Sequence, residues 1–500
     1  MKTLKHFVGW QIVGLLLIST LALGLRLYKI ANPIADWHSF RQADTAAVTR
    51  NFVKGGVDLL HPKYDDLSNI QSGVDNPQGW RMVEFPVFNL VHWGVYQLSV
   101  IGCQLSILGC FSLETAGRLT STISSLFALL FLYGIVKRLS GTKTALTTAF
   151  VFSILPFSVY YSRVILPDMM AVMWALGAIF WLGDSRYRLT HIFLSAAFAA
   201  LALLTKPTAG FLLAPVIMLF FKMPPPGLSF KDREISLLSN KFINSLFWFG
   251  FYIAILLLPF YLWRNWIQQF PEGIPAWRWL LWEEIRPFQP AWWRWLFFER
   301  IGNLILGGWG LVFLIPGIIH QRNNGVFYLI WLASMLFYLT VFASGNVRHD
   351  YYQIILIPVI CVFMAKGIIY FWSKKNFNRF ISIPTSIFLI LASVSFSLYQ
   401  IKGYYQINDP AILDAGQVAD KLLPENALVI APYFGDTSFL YQINRKGWPL
   451  VTHYPIEEML KRGATHYVSV TYDGFTRELM ERFQILIQNE KFIILNLKKI

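Results

Sequence analysis

Apolar runs long enough to cross a bilayer dominate this chain and set what it can fold into. They begin near residues 8, 115, 143, 168, 190, 207, 242, 300, 326, 354 and 382. Each supplies the roughly 20 residues that a helix needs to span about 30 Å of hydrocarbon, or nearly so. Lipid offers no partner to a backbone N–H or C=O, so such runs must satisfy their own hydrogen bonds. The expected fold class is an all-α polytopic membrane protein with about eleven transmembrane helices. Composition argues against a soluble chain: 55% of the residues are hydrophobic and 14% charged, where a soluble domain carries about 25% charge.

The net charge of +15 could suggest nucleic acid, but the basic residues form short clusters between apolar runs. On one side of the expected topology they are Lys137, Arg138 and Lys143; Arg186 and Arg188; Lys222, Lys231, Arg233 and Lys241; Arg322; and Lys374, Lys375 and Arg379. That alternation is the positive-inside pattern, with no nucleic-acid partner implied. Lys2 and Lys5 precede the first run, and Leu25-Arg26-Leu27-Tyr28-Lys29 is a poor signal-cleavage site. The N-terminus is therefore expected in the cytoplasm.

A full span from Pro86 to about Leu108 would reverse everything downstream. Its polar spacing by His92, Trp93, Tyr96 and Gln97 suits a helix lying in the headgroup layer or a re-entrant hairpin, and residues 41–54 look similar. Residues 29–113 then form one large external loop with in-plane helices. The tryptophan-rich segment 264–299 reads as a second in-plane helix pair, or as the wall of a lipid or sugar groove. After the membrane domain, 1–402, the pattern changes. Residues 403–500 alternate short apolar runs with amphipathic stretches, as a small extracytoplasmic α/β domain would. The three cysteines read as small core residues, because Cys103 and Cys110 would lie about 10 Å apart along a continuous helix.

Ionisable residues that interrupt apolar runs are costly and are functional candidates by default. On the external side they are Asp36, His38, Arg41, Asp44, Asp65, Asp66 and Glu84 in the first loop; Arg118 just inside its span; Arg163 and Asp168 at the next turn; Lys206; and Arg348, His349, Asp350, Tyr351 and Tyr352. Arg163 and Asp168 could also pair across their turn, and Lys206 could snorkel to the headgroups. External carboxylates suit deprotonation of an acceptor hydroxyl. Arginine and lysine suit a phosphate. Together they fit group transfer from a lipid-linked phosphate donor; no GxGxxG or Walker sequence is present.

Gly117-Arg118-Leu119-Thr120-Ser121, Tyr161-Ser162-Arg163 followed by Pro167-Asp168-Met169-Met170, Leu204-Thr205-Lys206-Pro207, and Arg348-His349-Asp350-Tyr351-Tyr352 before Pro358 occur in that order. In this the chain resembles the polytopic GT-C glycosyltransferases of the protein O-mannosyltransferase and aminoarabinose transferase superfamily, over roughly residues 8–400. The resemblance implies a polyprenyl-phosphate-linked sugar donor, a catalytic carboxylate in the first external loop, and inversion at the anomeric carbon. It implies that Arg118, Arg163, Lys206 or Arg348 steadies the departing lipid phosphate. Asp36 is followed by Trp37 where the family often has an adjacent Asp-Glu pair, and Glu84-Phe85-Pro86 stands where aminoarabinose transferases often have Lys-Pro-Pro. Asp44, on the expected in-plane helix with Arg41, ranks first as base, then Asp36, with Glu84 as an orienting or acceptor-binding residue. His38, Gln42, Asp168, His349 and Tyr351 complete the substrate-binding candidates.

The expected activity is transfer of a monosaccharide to a hydroxyl of a lipid, glycan or protein on the extracytoplasmic face. No metal-ligand cluster is evident, so no cofactor is expected, with carboxylate-bound Mg²⁺ or Mn²⁺ left open. The alternatives are a transporter or flippase of lipid-linked sugars, and an inactive homologue that binds them.

Overall fold

In the computed structural model, residues 2–106, 109–183, 189–222, 238–321, 324–373, 377–451 and 455–498 are described. The basic positions Arg186, Arg188, Lys231, Arg233, Arg322, Lys374 and Lys375 lie outside them, and the side chains of Lys2, Lys5, Lys222 and Lys241 are not described. The chain divides into two compact units. One comprises residues 1–28, 121–264 and 277–402; the other comprises 29–120, 265–276 and 403–500.

The first unit is helical. Among the described residues, five helices are long and apolar enough to cross a membrane: Gly9–Arg26, Leu113–Ser140, Leu246–Gln269, Asp350–Phe371 and Arg379–Leu422. Shorter apolar helices occupy Asp168–Leu182, Leu189–Thr205, Pro207–Phe220 and Gly325–Val341. The remaining two expected spans are broken. The run near 143 is helix Thr142–Ile154, interrupted at Leu155 and resumed as Pro156–Tyr161 with Pro156 in the first turn. The run near 300 winds as a π-helix over Arg294–Ile305, turns, and continues as Leu311–Ile319.

Each break frees carbonyls that lipid cannot satisfy, and a polar side chain reaches each set. At the first, buried Arg26 donates to the carbonyls of Phe152 and Ser153, both at 3.2 Å, and to Ser158 Oγ at 3.3 Å. At the second, Ser397 Oγ donates to the Leu304 carbonyl and Ser393 Oγ to that of Leu306, each at 2.6 Å, the latter carbonyl also accepting from the Gly310 N–H at 3.0 Å. An unsatisfied buried carbonyl costs about 1–3 kcal/mol. Arg26→Leu is therefore expected to destabilise the protein by roughly 2–5 kcal/mol, read as a lower unfolding midpoint in detergent. Close helix contact is set by small residues. A Cβ on Gly317 would collide with the Phe363 carbonyl, and one on Gly367 with the Phe313 carbonyl, so these two helices meet backbone to backbone.

The tryptophan-rich stretch is not the expected in-plane helix pair. It consists of single 3-10 turns at Ile267–Gln269, Pro271–Gly273 and Arg278–Leu280, then a short helix Pro290–Trp293 leading into the π-helix. Prolines at 265–290 and the bulk of neighbouring indoles work against regular winding. Trp282 Nε1 donates to the Thr340 carbonyl at 2.8 Å and Trp292 Nε1 to that of Leu339 at 3.4 Å, so some indoles serve internal packing.

In the second unit, residues 41–54 and the run after Pro86 do form helices, Ser39–Gly55 and Val87–Gln104. Asn89 ties them by donating to the Thr45 carbonyl at 2.7 Å and to Thr49 Oγ1 at 3.0 Å. The second helix stops at Gln104, and the chain turns so that Cys103 and Cys110 form a disulfide with Cα atoms 5.0 Å apart. The core reading of these two cysteines assumed a continuing helix and is corrected; Cys361 is buried as expected.

The C-terminal segment builds a five-stranded sheet from β1 (Leu428–Ile430), β2 (Lys446–Trp448), β3 (His466–Ser469), β4 (Gln484–Gln488) and β5 (Ile493–Asn496). Its order is β2-β1-β3-β5-β4, parallel among the first three and antiparallel thereafter. Helices Pro410–Leu422 and Gly474–Arg482 are capped by Asp409 and Asp473, each accepting a bond from an early backbone N–H. First-loop residues complete this layer. Ala35 joins the core formed by Ile412, Val429, Phe439 and Ile494, and Leu67 joins that of Ile430, Trp448, Tyr467 and Leu495. The Leu67 N–H donates to the Gly447 carbonyl at 2.8 Å and the Gly447 N–H to that of Asp65 at 2.9 Å, which covers the edge strand β2.

Candidate functional site

Helix Ser39–Gly55 positions the first-loop candidates. Its cap residue, His38, is left-handed at φ 55° and ψ 39°, an uncommon state for a residue with a side chain. Just before this kink, Asp36 is fully buried. Arg118 Nη2 lies 3.0 Å from Asp36 Oδ2, and Gln42 Nε2 donates to Asp36 Oδ1 at 2.7 Å. Arg118 is itself fully buried, and its Nε and Nη1 have no hydrogen-bond partner among the described residues. A buried guanidinium with unused donors is an anion site in waiting, because burial strengthens each charge-assisted bond.

Asp44 lies in the second turn of the same helix and is 2% exposed. Its Oδ2 meets Arg81 Nη2 at 2.9 Å and Gln71 Nε2 at 3.0 Å, while Oδ1 accepts from Thr437 Oγ1 at 2.7 Å. Thr437 also donates to the Phe40 carbonyl at 3.2 Å, and Ser39 Oγ donates to Asp436 Oδ2 at 3.3 Å. Asp44 thus fastens the helix to residues 71–81 and to the C-terminal segment. Arg41 Nη2 contacts both carboxylate oxygens of Glu84, at 2.6 and 2.9 Å.

Asp65 pairs with Arg50, whose guanidinium also lies over the Tyr441 ring at 4.1 Å. Asp66 Oδ1 accepts from the Ser68 N–H at 2.8 Å. Burial, reinforced by the charge of Asp44, pushes the Asp66 carboxyl up to about 6 from an ordinary 3.8. Between those values the folded state holds a proton that the unfolded state has released, so stability falls as pH rises through about 4 to 6. Two units correspond to at most roughly 3 kcal/mol. Asp66→Asn keeps the acceptor for Ser68 and is expected to flatten the pH dependence of the unfolding midpoint across that window.

The helical unit carries its own polar cluster. Lys206 Nζ lies 2.8 Å from Asp168 Oδ1 and 3.0 Å from Oδ2, with the Tyr351 and Tyr352 rings 5.4 and 5.1 Å away. Lys206 therefore does not snorkel, and Asp168 pairs with it rather than with Arg163. Arg163 is fully buried and donates to the Tyr28 carbonyl at 3.1 Å. Tyr161 OH donates to Asp350 Oδ1 at 2.5 Å, and Arg300 Nη1 approaches Oδ2 at 3.8 Å. Arg348 is half exposed, 2.5 Å from Glu284 and stacked near Trp279, and His349 stacks on Tyr351.

Arg81, Gln71, Asp436, Thr437, Arg300 and Glu284 were not candidates from sequence. Their partners lie far along the chain, Thr437 being 393 residues from Asp44, and no local pattern announces them. Among the described residues, no group of three or more His, Cys, Asp or Glu side chains is placed to hold a metal ion.

Residues 100–263 match the family model described as dolichyl-phosphate-mannose-protein mannosyltransferase. No curated protein matches the sequence. Among solved structures, ArnT from Cupriavidus metallidurans bound to undecaprenyl phosphate is 12% identical with a TM-score of 0.59, over 98% of each chain. The archaeal oligosaccharyltransferase AglB from Archaeoglobus fulgidus, in complex with an inhibitory peptide and a dolichol-phosphate, is 13% identical with a TM-score of 0.54, covering 92% of this chain and 69% of that one. The arabinofuranosyltransferase AftD from Mycobacteria is 12% identical with a TM-score of 0.56, covering 96% and 41%. At these identities the likeness is one of fold. In fold the chain resembles these three solved structures, residues 100–263 resemble the dolichyl-phosphate-mannose-protein mannosyltransferases, and its long apolar helices are those of an integral membrane protein.

Proposed function

We propose that this protein is an inverting glycosyltransferase that moves a monosaccharide from a polyprenyl-phosphate carrier to an acceptor hydroxyl on the extracytoplasmic face. The observation that carries the reading is the buried Asp36–Arg118 pair, with two guanidinium nitrogens still unpartnered among the described residues. In the step, the acceptor oxygen attacks the anomeric carbon as the bond to the carrier phosphate breaks. The lipid phosphate leaves with the electron pair, and Asp36 takes the hydroxyl proton. Arg118 offers its spare N–H groups to the departing phosphate. ArnT bound to undecaprenyl phosphate and AglB with dolichol-phosphate support a carrier of this class.

Asp44, first in rank from sequence, is assigned a structural role in this reading because three donors from two other segments already occupy its oxygens. Removing one member of a buried ion pair costs roughly 3–5 kcal/mol. Asp44→Asn is expected to lower the unfolding midpoint accordingly while changing transfer per folded molecule less than tenfold. A collapse of transfer at unchanged stability would return the base to Asp44. Arg163, Asp168, Lys206, Arg348, His349 and Tyr351, with His38, Arg41, Gln42 and Glu84, are carried as substrate-binding residues. Transfer is proposed to be metal-independent and to survive chelation.

The Cys103–Cys110 disulfide supports an oxidising, extracytoplasmic setting for the first loop. The C-terminal segment shares a compact unit with that loop, which supports placing it on the same side, with the N-terminus in the cytoplasm. The testing experiment supplies membranes containing the protein with a panel of radiolabelled polyprenyl-phosphate monosaccharides. Label appearing in a water-soluble, lipid or protein product supports the function, and no product from any donor overturns it.

A further inference from the structure

The helical unit draws one cation inward that the proposed reaction does not use. The close approach of Gly317 and Gly367 brings the helices Leu311–Ile319 and Ile357–Phe371 together, and Lys366 emerges beside that crossing. It is half-buried and stands five residues before the end of its helix, about 8 Å along the axis. Its Nζ donates to Gln321 Oε1 at 2.5 Å and lies 3.9 Å from the centre of the Tyr328 ring. Tyr328 is buried and shares a 2.9 Å hydrogen bond with Ser140, the last residue of the helix Leu113–Ser140. Asn324 Nδ2, at the start of the helix Gly325–Val341, donates to the Leu139 carbonyl at 3.0 Å. Four helices thus bring their ends together around one ammonium.

No carboxylate answers that charge. Residues 133–147, 316–331 and 363–385, the segments that meet here, contain no aspartate or glutamate. At described positions they carry Lys137, Arg138, Lys143 and Arg379 besides Lys366. A cation taken partly out of water normally finds a counter-ion. Elsewhere in the same unit Lys206 has Asp168, and Arg300 approaches Asp350. Lys366 has instead a neutral amide and a ring face, which hold the ammonium in place without neutralising it. A lysine that only reached for the headgroups would be left free to extend. This one is fixed between helices by two side chains.

We propose that Lys366, steadied by Gln321 and Tyr328, binds the headgroup phosphate of one anionic phospholipid of the phosphatidylglycerol class, in the leaflet where these helix ends lie. The proposal is independent of the transferase reading. An ammonium has three donors, and one is spent on Gln321, which leaves donors for phosphate oxygens. Phosphate is the anion a bilayer offers about one turn and a half inside a helix end, and basic sites between helices take anionic headgroups. The absence of acidic residues selects among headgroups. A choline or ethanolamine cation would meet Lys366, Lys137, Arg138 and Arg379 with no carboxylate to receive it, whereas a glycerol headgroup brings only hydroxyls.

The test uses spin-labelled lipids and the full-length protein in phosphatidylcholine vesicles, reading the fraction of each lipid that the protein immobilises. Phosphatidylglycerol is expected to be preferred over phosphatidylcholine by about tenfold at a single site, the gain from a hydrogen bond to a charged group. Lys366→Met should abolish the preference. Gln321→Glu keeps the size of the side chain and supplies the missing counter-ion in place. It should fold with an added ion pair and abolish the preference as fully, so the test does not depend on Lys366→Met folding. Lys143→Gln, which removes an exposed cation at the same end, should leave the preference in place. Inorganic phosphate, compared with sodium chloride at equal ionic strength, should not displace the lipid. The proposal is overturned if the wild type shows no preference, or if Gln321→Glu or a folded Lys366→Met retains it. It is equally overturned if Lys143→Gln loses as much, which would mean diffuse surface attraction, or if inorganic phosphate displaces the lipid, which would mean a free-anion site.

Discussion

Asp36→Asn is expected to lower sugar transfer by about 10²–10⁴-fold, the usual contribution of a positioned general base. The amide keeps the size of the carboxylate, and its oxygen can still accept from Gln42, whose Nε2 now lies 2.7 Å from Asp36 Oδ1. What it loses is the capacity to take a proton and the charge opposite Arg118. The lost charge leaves a buried guanidinium uncompensated, so a stability loss of roughly 3–5 kcal/mol accompanies the change. Two measurements separate these effects. Transfer is expressed per folded molecule, and Asp36→Asn is combined with Arg118→Met, which removes both charges. The double variant should regain most of the unfolding midpoint and none of the activity.

Arg118→Met alone is expected to have the second-largest effect. It strands the Asp36 carboxylate without its guanidinium partner, again at roughly 3–5 kcal/mol. It also removes the donors assigned to the carrier phosphate, and removal of one such donor typically lowers kcat by about 10²–10³-fold. Arg118→Lys retains the charge but not the planar fork. It should recover much of the stability and only part of the rate. A fall in kcat at constant KM for the carrier would place the interaction in the transition state, and a rise in KM alone would assign Arg118 to ground-state binding.

The apolar helices were legible in the sequence because in lipid each such run must satisfy its own backbone, and among the described residues five of them are long enough to cross a membrane. The breaks within them were not. Hydropathy does not register that Pro156 restarts a helix or that the chain turns after Ile305, since the side chains that complete the freed carbonyls, Arg26, Ser393 and Ser397, lie far away in sequence. Apolar runs and amphipathic stretches in the last hundred residues gave away β1, β3, β5 and the helices Ile456–Lys461 and Gly474–Arg482. Strand β2 is three residues, Lys446–Trp448, and β4 is an edge strand with glutamine at both ends, too short or too polar to stand out.

At the site, the polar residues that interrupt apolar surroundings were visible one by one, and their pairing was not. Asp168 selects Lys206 rather than Arg163, and Asp44 is enclosed by Arg81, Gln71 and Thr437, choices made by tertiary packing alone. The same holds for Cys103 and Cys110. Their spacing excludes a bridge along a continuous helix, and the bridge exists because the helix ends at Gln104.

The most direct test follows a radiolabelled polyprenyl-phosphate monosaccharide in proteoliposomes, scoring both glycosylated product and movement of the intact donor between leaflets, for the wild type and for Asp36→Asn. The account predicts product that depends on Asp36. Donor movement without product, unchanged by Asp36→Asn, would contradict it and identify the protein as a carrier of lipid-linked sugars.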